Sequence, residues 1–363
     1  MTSHPEWDQQ TTGTEVVKAF ADAIKGKNGM AAKNATNNPE VTCAAKRGIG
    51  SATALAVASQ APNHLILASR TASKLEEVIA DINQKYPGVK AVPVRLDLGS
   101  IDSIRDAASK IESLLVGEEI NVLINNAGVT DKTRAPITTP DGTRLDKQFF
   151  VNHIGTFLLT NLLTPLLQKA AAGSPSGATR VVNVSSHGHR ISPIRFSDYA
   201  LDKYGSDEAI PEAERTHPET PAFLLKGMDD EGFPGFVAYG QSKTANILHA
   251  TELSRRLKKS GVVAFSIHPG FIETDLDRSL DKEFSDALKA MAANGFKTLD
   301  GGAATTLVAA FDPALGQVDV GVEVTGYLSD CQLSEQLVRD HAKDPAIARR
   351  LWEETERMLQ ISK

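Results

Sequence analysis

Tyr239-Gly240-Gln241-Ser242-Lys243 opens a helical stretch and sets a phenol and an ammonium four residues apart, on one helical face. An ammonium beside a phenol favours the phenolate and lowers its pKa from about 10, each unit being worth about 1.36 kcal/mol. A tyrosine tuned this way can trade a proton with an alcohol or a carbonyl near neutral pH. As an isolated pair, Tyr-x-x-x-Lys is common and carries little. A second candidate is Val41-Thr42-Cys43-Ala44-Ala45-Lys46-Arg47-Gly48-Ile49-Gly50, where a first strand meets a first helix. A Gly-rich turn there lets the backbone approach a pyrophosphate, and the helix N-terminus supplies N–H groups and positive dipole. A bare Gly-x-Gly before a helix is more often only a tight turn. A third is Asn125-Asn126-Ala127-Gly128, directly after an apolar run. Small residues at the carboxyl edge of a strand leave room for a ligand, although a polar turn would read the same.

These residues need a scaffold, and the hydrophobic pattern supplies one. Buried-strand runs occur at His64–Ser69, Val89–Leu96, Ile120–Ile124, Arg180–Val184 and Val262–Ile267. Helical stretches fall between them at 49–60, 72–85, 101–116, 142–172 and 238–259. Strands alternating with helices imply an α/β fold, a parallel sheet with helices on both faces, and right-handed crossovers make it a doubly wound Rossmann-type sheet. Residues 1–40 read as an N-terminal extension, with a short amphipathic helix over Glu15–Lys27 and a loop over 28–40. A single Rossmann-type domain over 41–363 then carries an insertion at 187–235, rich in Pro, Gly, Asp and Glu. Loops of that length are usually functional lids or disordered.

Composition narrows the function classes. The chain has 363 residues, 39 Lys plus Arg against 45 Asp plus Glu, and a net charge of −6. That mild acidity argues against a nucleic-acid surface, which would need a basic stripe. Hydrophobic residues at 41% and charged residues at 23% are ordinary for a globular protein. Cys43 and Cys331 are the only cysteines, so neither a disulfide framework nor a four-thiolate metal site is expected. No apolar run reaches the roughly 20 residues of a membrane span. The opening Met1-Thr2-Ser3-His4-Pro5-Glu6-Trp7-Asp8 has neither the basic nor the apolar region of a secretory signal, so the cytoplasm is the expected compartment.

The order of the motifs adds what each lacks alone. The three above, a strand ending in Ser185-Ser186, and His268-Pro269-Gly270 with Thr274 beyond come one after another at sensible spacing. Together they resemble the short-chain dehydrogenase/reductase family over about residues 41–360. Asp141-Gly142, Val151-Asn152-His153-Ile154-Gly155-Thr156-Phe157-Leu158-Leu159, Gly326-Tyr327-Leu328-Ser329-Asp330-Cys331 and Ala348-Arg349-Arg350-Leu351-Trp352-Glu353 resemble its retinol-dehydrogenase-like branch. The resemblance implies Tyr239 as general acid/base and Lys243 as the group that binds the nicotinamide ribose and depresses the tyrosine pKa. It implies that Ser186 bonds the substrate oxygen and that Asn152 holds the water linking Lys243 to solvent. Gly48, Ile49 and Gly50 would form the phosphate turn. Asn126, Ala127 and Gly128 would line the adenosine side, Asp97 would face the adenine, and Thr274, beyond Pro269-Gly270, would meet the carboxamide. A lipophilic small-molecule substrate is implied by the branch.

Two choices can be weighed on the residues. Tyr199-Ala200-Leu201-Asp202-Lys203 is also Tyr-x-x-x-Lys, and Tyr199 lies 13 residues after Ser186, a spacing usual in the family. Lys203 sits 66 residues before Pro269, however, whereas Lys243 sits 26 before it and precedes a long helix and a strand. Tyr239 is the better candidate. An acidic residue after the second strand would bind a ribose 2′-hydroxyl and favour NAD. Here Ser69-Arg70 ends that strand and Lys46-Arg47 precede Gly48. Cations at Arg70 and Arg47 suit a 2′-phosphate, so NADP(H) is the expected cofactor. His153, His187 and His189 lack nearby cysteines or paired carboxylates and make a poor metal site; none is expected.

The first strand departs from the family. Only Val41 and Thr42 are good strand formers, and Ala44 stands where a glycine is usual, which crowds the turn. The expected activity is NADP(H)-dependent interconversion of a carbonyl and an alcohol. The alternative is a non-catalytic dinucleotide-binding or scaffold protein with a degraded phosphate loop.

Overall fold

The computed structural model describes residues 1–25, 39–43, 48–205, 209–227, 229–272 and 295–361. Strands β1 (Pro39–Cys43), β2 (His64–Ser69), β3 (Lys90–Arg95), β4 (Val122–Asn125), β7 (Thr179–Val184), β8 (Val262–His268) and β9 (Tyr327–Ser329) form one parallel sheet. A short antiparallel strand, β10 (Gln332–Leu333), closes one edge, and β5 (Pro136–Thr138) pairs with β6 (Arg144–Asp146) in a separate hairpin. The order is β10-β9-β8-β7-β4-β1-β2-β3. Both neighbours of β1 are parallel to it, β2 on one side and β4 on the other, and the winding reverses there. This is the doubly wound sheet expected from the sequence, and a crevice opens at such a reversal outside the carboxyl ends of the strands.

Successive side chains of a strand point to opposite faces, so each central strand feeds two cores. On one face, Ile66, Leu123, Val181 and Ala264 pack with α5 (Ile101–Leu114), α7 (Gly155–Ala172), α9 (Gly235–Leu257) and α11 (Pro345–Leu359). On the other, Leu65, Leu67, Val122, Ile124, Val182, Val184, Phe265 and Ile267 pack with α1 (Gly13–Ala19), α3 (Ile49–Ala58), α4 (Ala72–Lys85) and α10 (Leu299–Phe311). Burial on both faces explains why these strands read as continuous apolar runs.

Several expectations need correction. The N-terminal helix is two short pieces, α1 and α2 (Ala21–Ile24), and α1 is started by a Thr12–Glu15 capping box rather than at Glu15. β1 begins at Pro39, inside the stretch read as loop; proline needs no N–H at the first position of a strand. The expected helix over 142–172 starts only after β6, with α6 (Lys147–Phe149) and a π-helical turn, Phe150–Ile154, leading into α7. The run Lys147–Ala172, at 26 residues and a mean hydropathy of 1.3, is long and apolar enough to cross a membrane, contrary to the sequence expectation, and 72% of its most apolar window is buried inside the protein. Its buried polar side chains, among them Asn152, Thr156 and Thr160, are hydrogen-bonded within the fold.

The insertion is packed. His187–Arg190 and Glu212–Glu214 form 3-10 turns, and α8 (Ala222–Leu225) is a single helical turn. Ile191, Leu201, Leu224 and Phe233 form a small core with Phe236 and Val237 at the start of α9. The N-terminal strap is packed as well: Val16, Val17, Phe20 and Ile24 enter the second core, Ser3 bonds Asp312, and Thr14 bonds Asp300.

Candidate active site

Helix α9 is buried along nearly its whole length, but Tyr239 is half-buried on it, at the carboxyl edge of the sheet. Two glycines let the chain after β7 lie flat against this turn. A Cβ on Gly240 would stand 2.8 Å from the Gly188 carbonyl oxygen. One on Gly188 would stand 2.9 Å from Tyr239 Cε1 and 3.5 Å from Ser186 Oγ. The tyrosine ring and the serine hydroxyl therefore flank one small gap. Ser186 comes after β7 in an extended conformation, and its Oγ accepts a 3.0 Å hydrogen bond from Gly188 N.

Lys243 lies one turn further along α9, on the same face, and is almost fully buried. Its Nζ donates to the Val184 carbonyl at 2.9 Å and lies 5.4 Å from the centre of the Tyr239 ring. Burial pushes the Lys243 ammonium down to about 7. Ser185 Oγ holds the Lys243 carbonyl at 2.8 Å, tying β7 to α9 at the level of the site.

Asn152 comes from the π-turn. Its Oδ1 accepts from Val129 N at 2.8 Å, and its Nδ2 donates to Val129 O at 3.0 Å and to Ser242 Oγ at 2.9 Å. Ser242 Oγ in turn donates to the Tyr239 carbonyl at 2.7 Å. Gly128 leaves the space between these groups: a Cβ there would lie 3.1 Å from Lys243 Nζ and 3.5 Å from Asn152 Oδ1. Asn152, Ser186, Tyr239 and Lys243, drawn from three elements, thus meet at one edge of the sheet.

The remaining residues singled out in the sequence lie along that edge. Gly48 caps α3 in an extended conformation without a side-chain cap, while Ile49 and Gly50 form its first turn. Arg70 is exposed immediately after β2. Asp97, after β3, turns its Oδ1 to Gly99 N at 2.9 Å and so shapes its own loop. Asn126 and Ala127 lie just beyond β4, half-buried. Pro269 is buried after β8, and Gly270 has φ +99°, with a Cβ position only 2.7 Å from the Lys297 side chain. Arg47, Ala44 and Thr274 lie outside the described residues.

Tyr199 has another role. It is buried between Phe149 and Phe196, with ring centroids at 5.3 and 6.0 Å, and burial pushes its phenol well above the usual range. Lys203 is exposed and donates to the Ser197 carbonyl at 3.4 Å. The three histidines have separate partners. His153 Nε2 meets Thr355 Oγ1 at 3.0 Å, His187 stacks on His268 at 3.8 Å, and His189 Nδ1 bonds the Ser186 carbonyl at 2.7 Å. Among the described residues no three side chains of metal-binding type converge. Sequence reasoning missed the roles of Gly188, Ser185, Ser242 and Asn246, each of which makes a tertiary contact that spacing does not reveal.

The family model for short chain dehydrogenase matches residues 41–215. Oxidoreductase fscI of Fusarium equiseti is 32% identical over 268 residues, 73% of this chain and 94% of that protein. Human retinol dehydrogenase 13 is 34% identical over 324 residues, 88% of this chain and 84% of that protein. The fold is shared with NADPH-bound carbonyl reductase from chicken fatty liver, at a TM-score of 0.52 and 22% identity over 81% of this chain and 97% of that one. With the doubly wound sheet and this spacing of motifs, the chain belongs to the short-chain dehydrogenase/reductase family, in its retinol-dehydrogenase-like branch, and is an oxidoreductase.

Proposed function

We propose that this protein interconverts a carbonyl and an alcohol on a lipophilic small molecule with NADP(H), using Tyr239 as general acid/base. The observation that carries this is the meeting of Tyr239, Lys243, Ser186 and Asn152 beside the reversal between β1 and β4. A dinucleotide fits the residues present. Among the described residues no side chain caps the α3 N-terminus, and Gly128 keeps clear a space that a single Cβ would fill against Lys243. When bound, the nicotinamide supplies or takes the hydride.

The protein handles the proton and the geometry. Tyr239 gives its phenolic proton to the substrate oxygen in reduction and takes it back in oxidation. Lys243, as an ammonium, stabilises the phenolate that forms. Ser186 donates a hydrogen bond to the same oxygen and polarises it. Asn152, clamped on Val129 and Ser242, stands beside the Gly128 gap and holds the water through which Lys243 reaches solvent. Gly48, Ile49 and Gly50 would hold the pyrophosphate side; Asn126, Ala127, Gly128 and Asp97 would flank the adenosine; Pro269 and Gly270 would border the nicotinamide; Arg47, expected at the 2′-phosphate, and Thr274, expected at the carboxamide, lie outside the described residues. Arg70, exposed after β2 where an acidic residue would favour NAD, supports NADP(H) through its 2′-phosphate.

Titrating the protein with NADPH and monitoring cofactor fluorescence, then screening NADPH oxidation over aldehydes and ketones, tests this proposal. Binding with turnover supports it; binding without turnover on any carbonyl favours the non-catalytic alternative. We place the protein in the cytoplasm, which cell fractionation checks.

A further inference from the structure

Asn152 owes its position to a backbone irregularity. It sits at the middle of the π-turn Phe150–Ile154, a wider turn than those of α7 just beyond it. π-Turns are rare and cluster at functional sites, because they aim a side chain that regular winding would turn away. Two side chains secure this one by bonding the Asn152 carbonyl oxygen. Thr156 Oγ1 donates to it at 2.9 Å from one turn along, and Asn246 Nδ2 donates at 2.8 Å from α9. Asn246 is itself buried, three residues beyond Lys243 on the same helix. Its backbone carbonyl oxygen, in turn, accepts from Asn183 Nδ2 at 3.2 Å.

We propose that Asn246 is a positioning residue of the active site, pinning the backbone carbonyl of Asn152 so that the Asn152 amide stays locked between Val129 and Ser242 beside Lys243. It rests on the function proposed above only for what the Lys243 environment is used for; the geometry stands without it. A hydrogen-bond inventory of Asn152 adds a second consequence. Both Nδ2 hydrogens are used, on Val129 O and Ser242 Oγ, and both side-chain donors that reach its backbone carbonyl are in place. Among the described residues the acceptor site left open is the second lone pair of Oδ1, which takes Val129 N with the first. Oδ1 faces the gap kept by Gly128, the gap Lys243 Nζ also faces. Oδ1 thus keeps one acceptor site toward Lys243, while the Asn152 carbonyl is held by Thr156 and Asn246.

Asn246→Leu keeps the volume and removes the donor. Asn246→Asp keeps the shape and can donate to the carbonyl only when protonated. The first measurement is NADPH-dependent reduction of 4-nitrobenzaldehyde as a function of pH. Asn246→Leu is expected to lower kcat at least tenfold with KM for NADPH changed less than about threefold. Asn246→Asp is expected to recover activity toward low pH, relative to the parent protein. The second measurement is independent of turnover: NMR titration of 13C-labelled lysine, read at Lys243, with melting curves to confirm folding. Lys243 is expected to titrate near 7 in the parent protein and at least one pH unit higher in Asn246→Leu, as water enters the loosened turn. If Asn246→Leu does not fold, the Asp variant compared at two pH values carries the test. Unchanged kcat and Lys243 titration in a folded variant overturn the proposal, as does loss of activity only in proportion to lost folded protein. A parent protein that reduces no carbonyl overturns the proposed function instead, and the titration still decides the role of Asn246.

Discussion

Two tyrosines with the same i,i+4 lysine spacing provide the sharpest functional contrast in this chain. Tyr239 is half-buried beside Ser186 and Lys243; Tyr199 is buried among aromatic rings, far from an effective lysine partner. Removing the hydroxyl of each has opposite expected consequences. General acid/base catalysis typically contributes about 10²–10⁴ in rate, or about 3–5 kcal/mol in the barrier. Tyr239→Phe is therefore expected to lower kcat by at least a hundredfold. It leaves the ring that packs on Gly188 in place, so NADPH affinity and melting temperature should be nearly unchanged. The Tyr199 hydroxyl is buried with no hydrogen-bond partner among the described residues. A buried polar group left unpaired costs about 1–3 kcal/mol, so Tyr199→Phe should leave activity intact and hold or raise stability by about 1 kcal/mol. For a domain of this size that is roughly 2 °C in Tm. The assay is cofactor oxidation with an aldehyde panel, with NADPH fluorescence titration and a thermal melt on the same preparations. An inactive Tyr199→Phe beside an active Tyr239→Phe would refute the assignment.

Other consequences can be checked in the same system. Arg70→Asp should weaken NADPH and spare NADH, since a charge-assisted hydrogen bond is worth about 1.5–3 kcal/mol, roughly tenfold to a hundredfold in affinity; equal loss for both cofactors would assign Arg70 to folding. Gly188→Ala puts a methyl 2.9 Å from Tyr239 Cε1, so kcat should fall at least tenfold while the protein stays folded, read by kinetics and circular dichroism. With Lys243 held at about 7 by burial, the cation that stabilises the forming phenolate is present below that pH and lost above it. The kcat/KM for carbonyl reduction should accordingly fall as pH rises through about 7, and a flat profile between about pH 6 and 9 would contradict this. Deleting residues 1–25 strips four buried apolar side chains at about 1.5–3 kcal/mol each, comparable with the whole stability of a domain, so the truncated chain should be largely unfolded by circular dichroism.

Elements governed by local pattern are the ones legible in the sequence. β2 and β7 are buried on both faces and therefore read as apolar runs, and α4 and α5 present one apolar stripe each, so the expected bounds of all four lie within a few residues of those observed. Helix α10, Leu299–Phe311, escapes such a reading: it is buried nearly all round and rich in Gly and Ala, so it has no amphipathic period to detect. Strands β9 and β10 are too short to carry a pattern. In the site, Tyr239 and Lys243 are visible because helical spacing alone brings them together. Asn246 and Gly188 are not, because their meaning lies in contacts 94 residues away to Asn152 and across a gap to Tyr239. The β1 slot is filled by Pro39–Cys43, with pairing on both sides.

The central claim is that a nicotinamide dinucleotide lies across the carboxyl edge of the sheet with its reactive ring at Tyr239. A crystal structure of the protein grown with NADPH tests it without any knowledge of the substrate. The expected result is the pyrophosphate at the start of α3, the adenosine 2′-phosphate near Arg70, and the nicotinamide ring between the Tyr239–Lys243 pair and Pro269-Gly270. NADPH bound elsewhere, or a nicotinamide ring distant from Tyr239, would contradict it.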